Sequence, residues 1–264
     1  MFALPLCLAL VVTASSPADA AIEKAFNTVS CCQDLKATQC LQAAAVLERH
    51  GEPALKYITP RFSGMSALGQ MLALSVYGGH SGHIATMGLA KLTLKAKLAP
   101  AIRSVAIQTL ADRFDGRRTK RLVTATLIKT ARDRQPTVRA AAIRALGNRA
   151  HSGDRHIITL LRRAAKDKAP AVRTEAILGL GMTARSDVAE LLISALNDAV
   201  VRVRIASADG LSFVKSDQAI EPLIETLRSD DALLRRVAGE ALAFQTGVHF
   251  GDDYPLWREW WANR

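Results

Sequence analysis

Aromatic residues are scarce, at 5% of the chain, so a core of stacked rings is excluded and the interior falls to Ala, Leu, Val and Ile. Cysteine is limited to four residues, too few for a disulfide-framework fold of this length. Sixteen glycines and nine prolines exclude collagen-like or low-complexity chains. After the first twenty residues no apolar run reaches the ~18 needed to span a bilayer. Acidic residues are short in the middle: residues 91–173 hold 21 Lys and Arg against 5 Asp and Glu, whereas residues 174–264 hold 9 against 14. What is plentiful is aliphatic: 49% hydrophobic against 22% charged residues suits a large buried core and excludes wholesale disorder.

The opening MFALPLCLALVVTASSPADA reads as a secretory leader. An apolar run from Phe2 to Val12 is followed by small polar residues and by Ala18-Asp19-Ala20 as a cleavage site, so the mature chain is expected to start at Ala21, periplasmic or secreted. No Lys or Arg precedes the run, which departs from the usual pattern. Beyond Cys7 the cysteines are Cys31, Cys32 and Cys40. Export makes a disulfide from Cys31 or Cys32 to Cys40 plausible, stapling the mouth of a helical hairpin and leaving one thiol over. The alternative is three small buried residues with no bond.

A period runs through the second half. DRQPTVRAAAIRALG from Asp133, DKAPAVRTEAILGLG from Asp167, DAVVRVRIASADGLS from Asp198 and DDALLRRVAGEALAF from Asp230 align at offsets of 34, 31 and 32. Each places an Arg six residues after the Asp: Arg139, Arg173, Arg204 and Arg236. KLAPAIRSVAIQTLA is a weaker fifth copy, with Lys97 for the Asp and Arg103 for the Arg. Pro100, Pro136 and Pro170 stand where a helix begins. Three residues after the Arg the slot is small, and seven after it Leu110, Leu146, Leu180 and Leu211 continue one helical face, with Ala243 in the last unit. Amphipathic segments from Arg121, His156, Val188 and Ala219 lie between, with Asp154, Asp187 and Asp217 placed as N-caps of the last three. Each period is one helix, a tight turn and a second helix, and such a pair must stack on its neighbours to bury its apolar faces.

The D-x-x-P-x-V-R pattern with its small residue and Leu resembles the HEAT repeat, including the short bacterial form of bilin-lyase-like proteins, from about Pro100 to Gly247. The resemblance implies an all-α, right-handed α-solenoid of stacked antiparallel helix pairs, HEAT/armadillo-like, with first helices outward and second helices lining a concave side. It also implies that the Asp and Arg residues form a structural ladder between turns. The expected organisation is a leader over 1–20, degenerate helical repeats over 21–95, the HEAT array over 96–247 and a Trp-rich capping helix over 248–264. In the degenerate part Gly51-Glu52-Pro53 and Thr59-Pro60 read as turns between helices. In the last segment Trp257, Trp260 and Trp261 share one helical face.

Chemistry-bearing patterns are fragmentary. Gly179-Leu180-Gly181 lacks the third Gly and the strand of a dinucleotide site, and His80 and His83 have no acid or Cys nearby in sequence to complete a metal sphere. Ser212-x-x-Lys215 ends a repeat helix, and Asp252-Asp253 fit a helix cap. No catalytic residue, metal or cofactor is expected. The basic middle is the strongest functional signal: Arg113, Arg117, Arg118, Arg144 and Arg149 are expected to form a solvent-facing strip in a central groove, able to hold an acidic protein, an anionic polymer or a lipid surface. A leader peptide and the lack of aromatics among these arginines argue against nucleic acid. The sequence therefore reads as an exported, non-enzymatic scaffold or adaptor. The competing reading is a cytoplasmic lyase-like or base-excision enzyme on the same fold, and head-to-tail association of copies is a third.

Overall fold

The computed structural model describes residues 16–34, 37–113, 116–150 and 153–264, and among them helices are the only regular elements. The chain divides into two compact units, one ending at Thr130 and one running from Ala131 to Arg264. This division falls inside the 96–247 run. No helix among the described residues is long and apolar enough to cross a membrane.

The first unit contains α1 (Pro17–Ser30), α2 (Thr38–His50), α3 (Glu52–Arg61), α4 (Ala67–Gly79), α5 (His83–Leu94), α6 (Pro100–Ala111) and α7 (Gly116–Thr130). Helices α2, α4 and α6 pack in succession, as do α3, α5 and α7, which is the two-layer stacking of a solenoid. Ser16 caps α1 by accepting the Asp19 N–H at 3.2 Å, so Ala18-Asp19-Ala20 lies in the first turn of that helix. Residues 1–15, which include the apolar run and Cys7, lie outside the described residues. Thr59-Pro60 is not a break: Pro60 sits in the last turn of α3, and the turn follows it at Phe62–Gly64.

Cys32 at the end of α1 is disulfide-bonded to Cys40 in α2, with Cα atoms 6.2 Å apart. Of the two expected pairings, the structure holds the one from Cys32.

The second unit contains α8 (Pro136–Gly147), α9 (Arg155–Ala164), α10 (Pro170–Gly181), α11 (Ala189–Ala195), α12 (Val201–Leu211), α13 (Ile220–Thr226), α14 (Ala232–Thr246) and α15 (Tyr254–Ala262). The motif helices α8, α10, α12 and α14 stack on one another, and α9, α11 and α13 fill the spaces beside them. Proline opens α8 and α10, Asp231 caps α14 through the Leu234 N–H at 2.8 Å, and Gly247 closes it in the left-handed region at φ 78°. Leu146, Leu180, Leu211 and Leu242 are fully buried at equivalent positions, each contributing about 2 kcal/mol by burial.

Small residues set how closely the motif helices approach. Gly147 meets Gly179, and Gly181 meets Gly210, backbone to backbone. The last helix, α15, covers the end of the stack against α13 with Trp257 wholly buried.

Candidate functional site

Three of the motif turns are each built by one Asp and one Arg. The Asp side chain accepts the N–H two residues on, at 2.9 Å for Asp133 with Gln135, Asp167 with Ala169 and Asp198 with Val200. The Arg six residues later donates from Nη1 to the carbonyl of that same Asp, again at 2.9 Å for Arg139, Arg173 and Arg204. The rest of the guanidinium reaches the next turn. Arg139 clasps Asp167 with two bonds, 2.9 Å from Nε and 2.7 Å from Nη2, and Arg173 clasps Asp198 at 2.7 and 2.8 Å.

The last turn shifts the register by one. Arg235, not Arg236, donates to the Ser229 carbonyl at 2.9 Å, and Ser229 Oγ accepts the Asp231 N–H at 3.2 Å in place of an Asp. Arg236 instead pairs with Glu240 on the exposed face, and Asp230 offers its carbonyl to Arg235 at 3.2 Å. With Ser229 in the acid's place, the carboxylate that would face Arg204 is missing. The ladder resumes at Arg235, whose Nε lies 3.4 Å from Asp252, so the C-terminal tail supplies the acid that a further turn would have carried.

Burial pushes the Asp167 carboxyl up, but the hydrogen bonds from Arg139 and the Ala169 N–H and the charges of Arg139 and Arg173 outweigh it, leaving the group below the ordinary carboxylate range. The hydrogen bond from Arg173 likewise holds Asp198 low. A carboxyl depressed in the folded state contributes stability that is fully present above its unfolded value of about 3.9 and is lost as pH falls through the folded value. Urea unfolding of the second unit at pH about 5 and about 3 should therefore show a fall in stability that is smaller in Asp198→Asn than in the wild type. Equal losses in the two proteins would contradict this assignment.

The five arginines expected to line a groove do not act together. Arg113 is buried, only 6% exposed, and its guanidinium donates to the carbonyls of Tyr77 and His80 at the end of α4. It is a helix cap, not a partner-binding residue. Gln245 does the same work in the second unit, donating to the Leu211 and Val214 carbonyls at 2.7 and 2.8 Å. Arg144 projects from α8 as its spacing requires, but Glu175 of α10 takes it in a bidentate pair, 2.9 Å from Nε. Arg149 is half-buried at the turn after α8. Arg117 and Arg118 are exposed on the first turn of α7, with Lys120 and Arg121 beside them. The expected strip is thus reduced to this cluster in the first unit.

The second unit holds a different basic feature. A cleft of about 700 Å³ opens between α8 and α9, walled by Ile143, Leu160 and Ala164 and rimmed by Arg132, His156, Arg163, Lys166 and Lys168. Its one acid, Asp167, is already held by Arg139. Arg132, Arg163, Lys166 and Lys168 are exposed.

Two overlapping stretches, residues 124–202 and 157–243, match the family model of HEAT repeats. Residues 124–243 therefore carry HEAT repeats. The X-ray structure of YibA from Escherichia coli is similar over 94% of this chain and 96% of its own, with a TM-score of 0.60 and 18% identity. An engineered protein is similar over 86% of this chain and 99% of its own, with a TM-score of 0.51 and 17% identity. At such identities the likeness is one of fold. No curated protein matches the chain.

The HEAT turns also account for most of the weak chemical patterns. Gly179 and Gly181 serve helix contact, as above, and Lys215 donates to the Gln245 carbonyl at 2.7 Å while Ser212 bonds back to Ala208 at 3.4 Å. Asp253 caps α15 through the Leu256 N–H at 3.0 Å, and Asp252 is the last ladder acid. Asp154 caps α9, whereas Asp187 and Asp217 lie in short 3-10 turns before α11 and α13. Asp187 pairs with Arg162 at 3.1 Å and Arg185 at 2.9 Å. Among the described residues no three His, Cys, Asp or Glu side chains gather as a metal cage. The burial of Arg113 was readable from the repeat: its column continues with Arg149, Thr183, Val214 and Gln245, and Val214 and Gln245 are buried.

Proposed function

We propose that this protein is an exported, non-enzymatic HEAT scaffold that holds an acidic partner protein against the basic cleft of its second unit. The cleft carries the reading: four exposed cations and a histidine surround an apolar floor, and the one carboxylate among them is neutralised internally. An acidic segment with apolar residues would bury its side chains on the half-exposed Leu160 while its carboxylates meet Arg163, Lys166 and Lys168. Export is supported by the leader-like first twenty residues and by the Cys32–Cys40 bond, which needs an oxidising compartment to persist. The non-catalytic reading is supported by the structural roles that Ser212, Lys215, Asp252 and Asp253 already fill.

The test is fluorescence anisotropy with a labelled Glu-Leu repeat peptide. Binding should weaken with salt, since the rim charges are exposed, and Arg163→Glu with Lys166→Glu should reduce affinity at least tenfold. Affinity unchanged by both substitutions would refute the cleft as the binding surface.

A further inference from the structure

On the motif helices, a second feature repeats with the period of the array. Met182, Phe213 and Phe244 each stand nine residues after a ladder arginine, Arg173, Arg204 and Arg235. They occupy equivalent positions at the ends of α10, α12 and α14, and they are 41%, 54% and 45% exposed. Neighbouring turns bring them side by side. Gly181 and Gly210 touch where α10 meets α12, and Lys215, two residues past Phe213, lies 5.9 Å from the Phe244 ring while donating to the Gln245 carbonyl. Scattered exposed apolar residues need no explanation, but a row in register along a stack is a patterned surface.

One helical turn before each phenylalanine stands an acid, Asp209 before Phe213 and Glu240 before Phe244. Both are exposed. Glu240 has Arg236 beside it, whereas the Asp209 carboxylate has no ion pair or hydrogen bond among the described residues. The two acids stand five residues after Arg204 and Arg235, at equivalent positions on the stacked helices α12 and α14, and partial burial and the charge of Glu240 push the Asp209 carboxyl above its ordinary range. A cation placed between them would relieve their repulsion.

We infer that this row is a second docking surface, for an extended segment of another protein in which an apolar and a basic residue recur together about every third position. The spacing follows from geometry. Packed helices lie about 8–10 Å apart, and a polyproline-type strand advances about 9 Å in the three residues that return a side chain to the same face. One apolar side chain per turn would meet Met182, Phe213 and Phe244, while a neighbouring Lys or Arg meets Asp209 and competes with Arg236 for Glu240. Charge complementarity selects this occupant over an acidic one, although the chain as a whole carries +11. The positive excess lies in residues 91–173, whereas residues 174–264, which carry the row, hold 9 Lys and Arg against 14 Asp and Glu and favour a basic peptide.

The experiment uses the full chain and a labelled Leu-Arg-Pro repeat peptide of about twelve residues, with Leu-Glu-Pro and Gly-Arg-Pro repeats as controls. Leu-Arg-Pro should bind at least tenfold tighter than either control. Asp209→Asn with Glu240→Gln, and separately Phe213→Ser with Phe244→Ser, should each weaken it about tenfold, while Arg163→Glu with Lys166→Glu leaves it intact. That last variant separates this surface from the basic cleft, so either reading can fail alone. All the substituted side chains are exposed, and an unchanged thermal transition shows that the variants fold. No binding, tighter binding of Leu-Glu-Pro, or indifference to the row substitutions would overturn the inference. So would a sedimentation profile showing that Phe213→Ser with Phe244→Ser dissociates an oligomer, since the row would then be occupied by a second copy.

Discussion

Trp257→Ala is expected to destabilise the end of the array by about 3–5 kcal/mol, the usual cost of emptying a buried aromatic site. The indole is fully buried, its Nε1 donates to the Gly251 carbonyl at 2.9 Å, and Phe250 and Trp260 meet it edge-on at 5.0 and 5.7 Å. Those contacts hold the tail where Gly251 lies against Gly239 and Asp252 faces Arg235. Losing them frees α15 and uncovers the last turn, and in a solenoid an uncapped end frays inward. The readouts are limited proteolysis, with new cleavage after residue 247, and a lower thermal midpoint for the second unit. A protease-resistant tail with an unchanged midpoint would show that α15 is not the cap. Trp261→Ala, at a half-buried position, should do much less.

Gly181→Val should cost the second unit about 2–3 kcal/mol, in the range of overpacked cores. A Cβ at Gly181 would stand 2.5 Å from the Cα of Gly210 and 3.3 Å from its carbonyl group. Backbone cannot rotate away as a side chain can, so α10 and α12 must separate and leave gaps around Leu180 and Leu211. A change of this size should move the midpoint of a unit this long by several degrees. Gly64→Ala, where the added atom meets nothing within 4 Å, serves as the control and should stay within about 0.5 kcal/mol of the wild type. Near-equality of the two variants would show that the close approach is not a requirement of the stack.

Much of this arrangement was legible before any coordinates. The columns headed by Arg139, Arg173 and Arg204 specify a helix start, a small slot and a buried Leu, and the helices follow them. The off-by-one in the last unit shows where pattern reading gave way. Asp230-Asp231 and Arg235-Arg236 each offer two residues of the right kind, and a spacing of six matches Asp230 with Arg236. Burial decides otherwise: Leu242 is buried and Ala243 only half so, which sets Arg235 in the column.

The charged surface was the less legible part. Formal charge counts Arg113, Arg144 and Arg163 alike, yet a neighbouring turn consumes the first two and leaves the third exposed. Partners 31 to 36 residues away in sequence decide that difference.

Periodicity alone determined that the chain forms stacked helix pairs, because a repeated apolar face can be buried only against its own kind. Tertiary structure alone decided which charges stay exposed and unpaired, because a guanidinium reaches across to the next turn and only the packed stack shows what waits there. It also made a row of Met182, Phe213 and Phe244, residues more than thirty positions apart that the stack sets on adjacent turns.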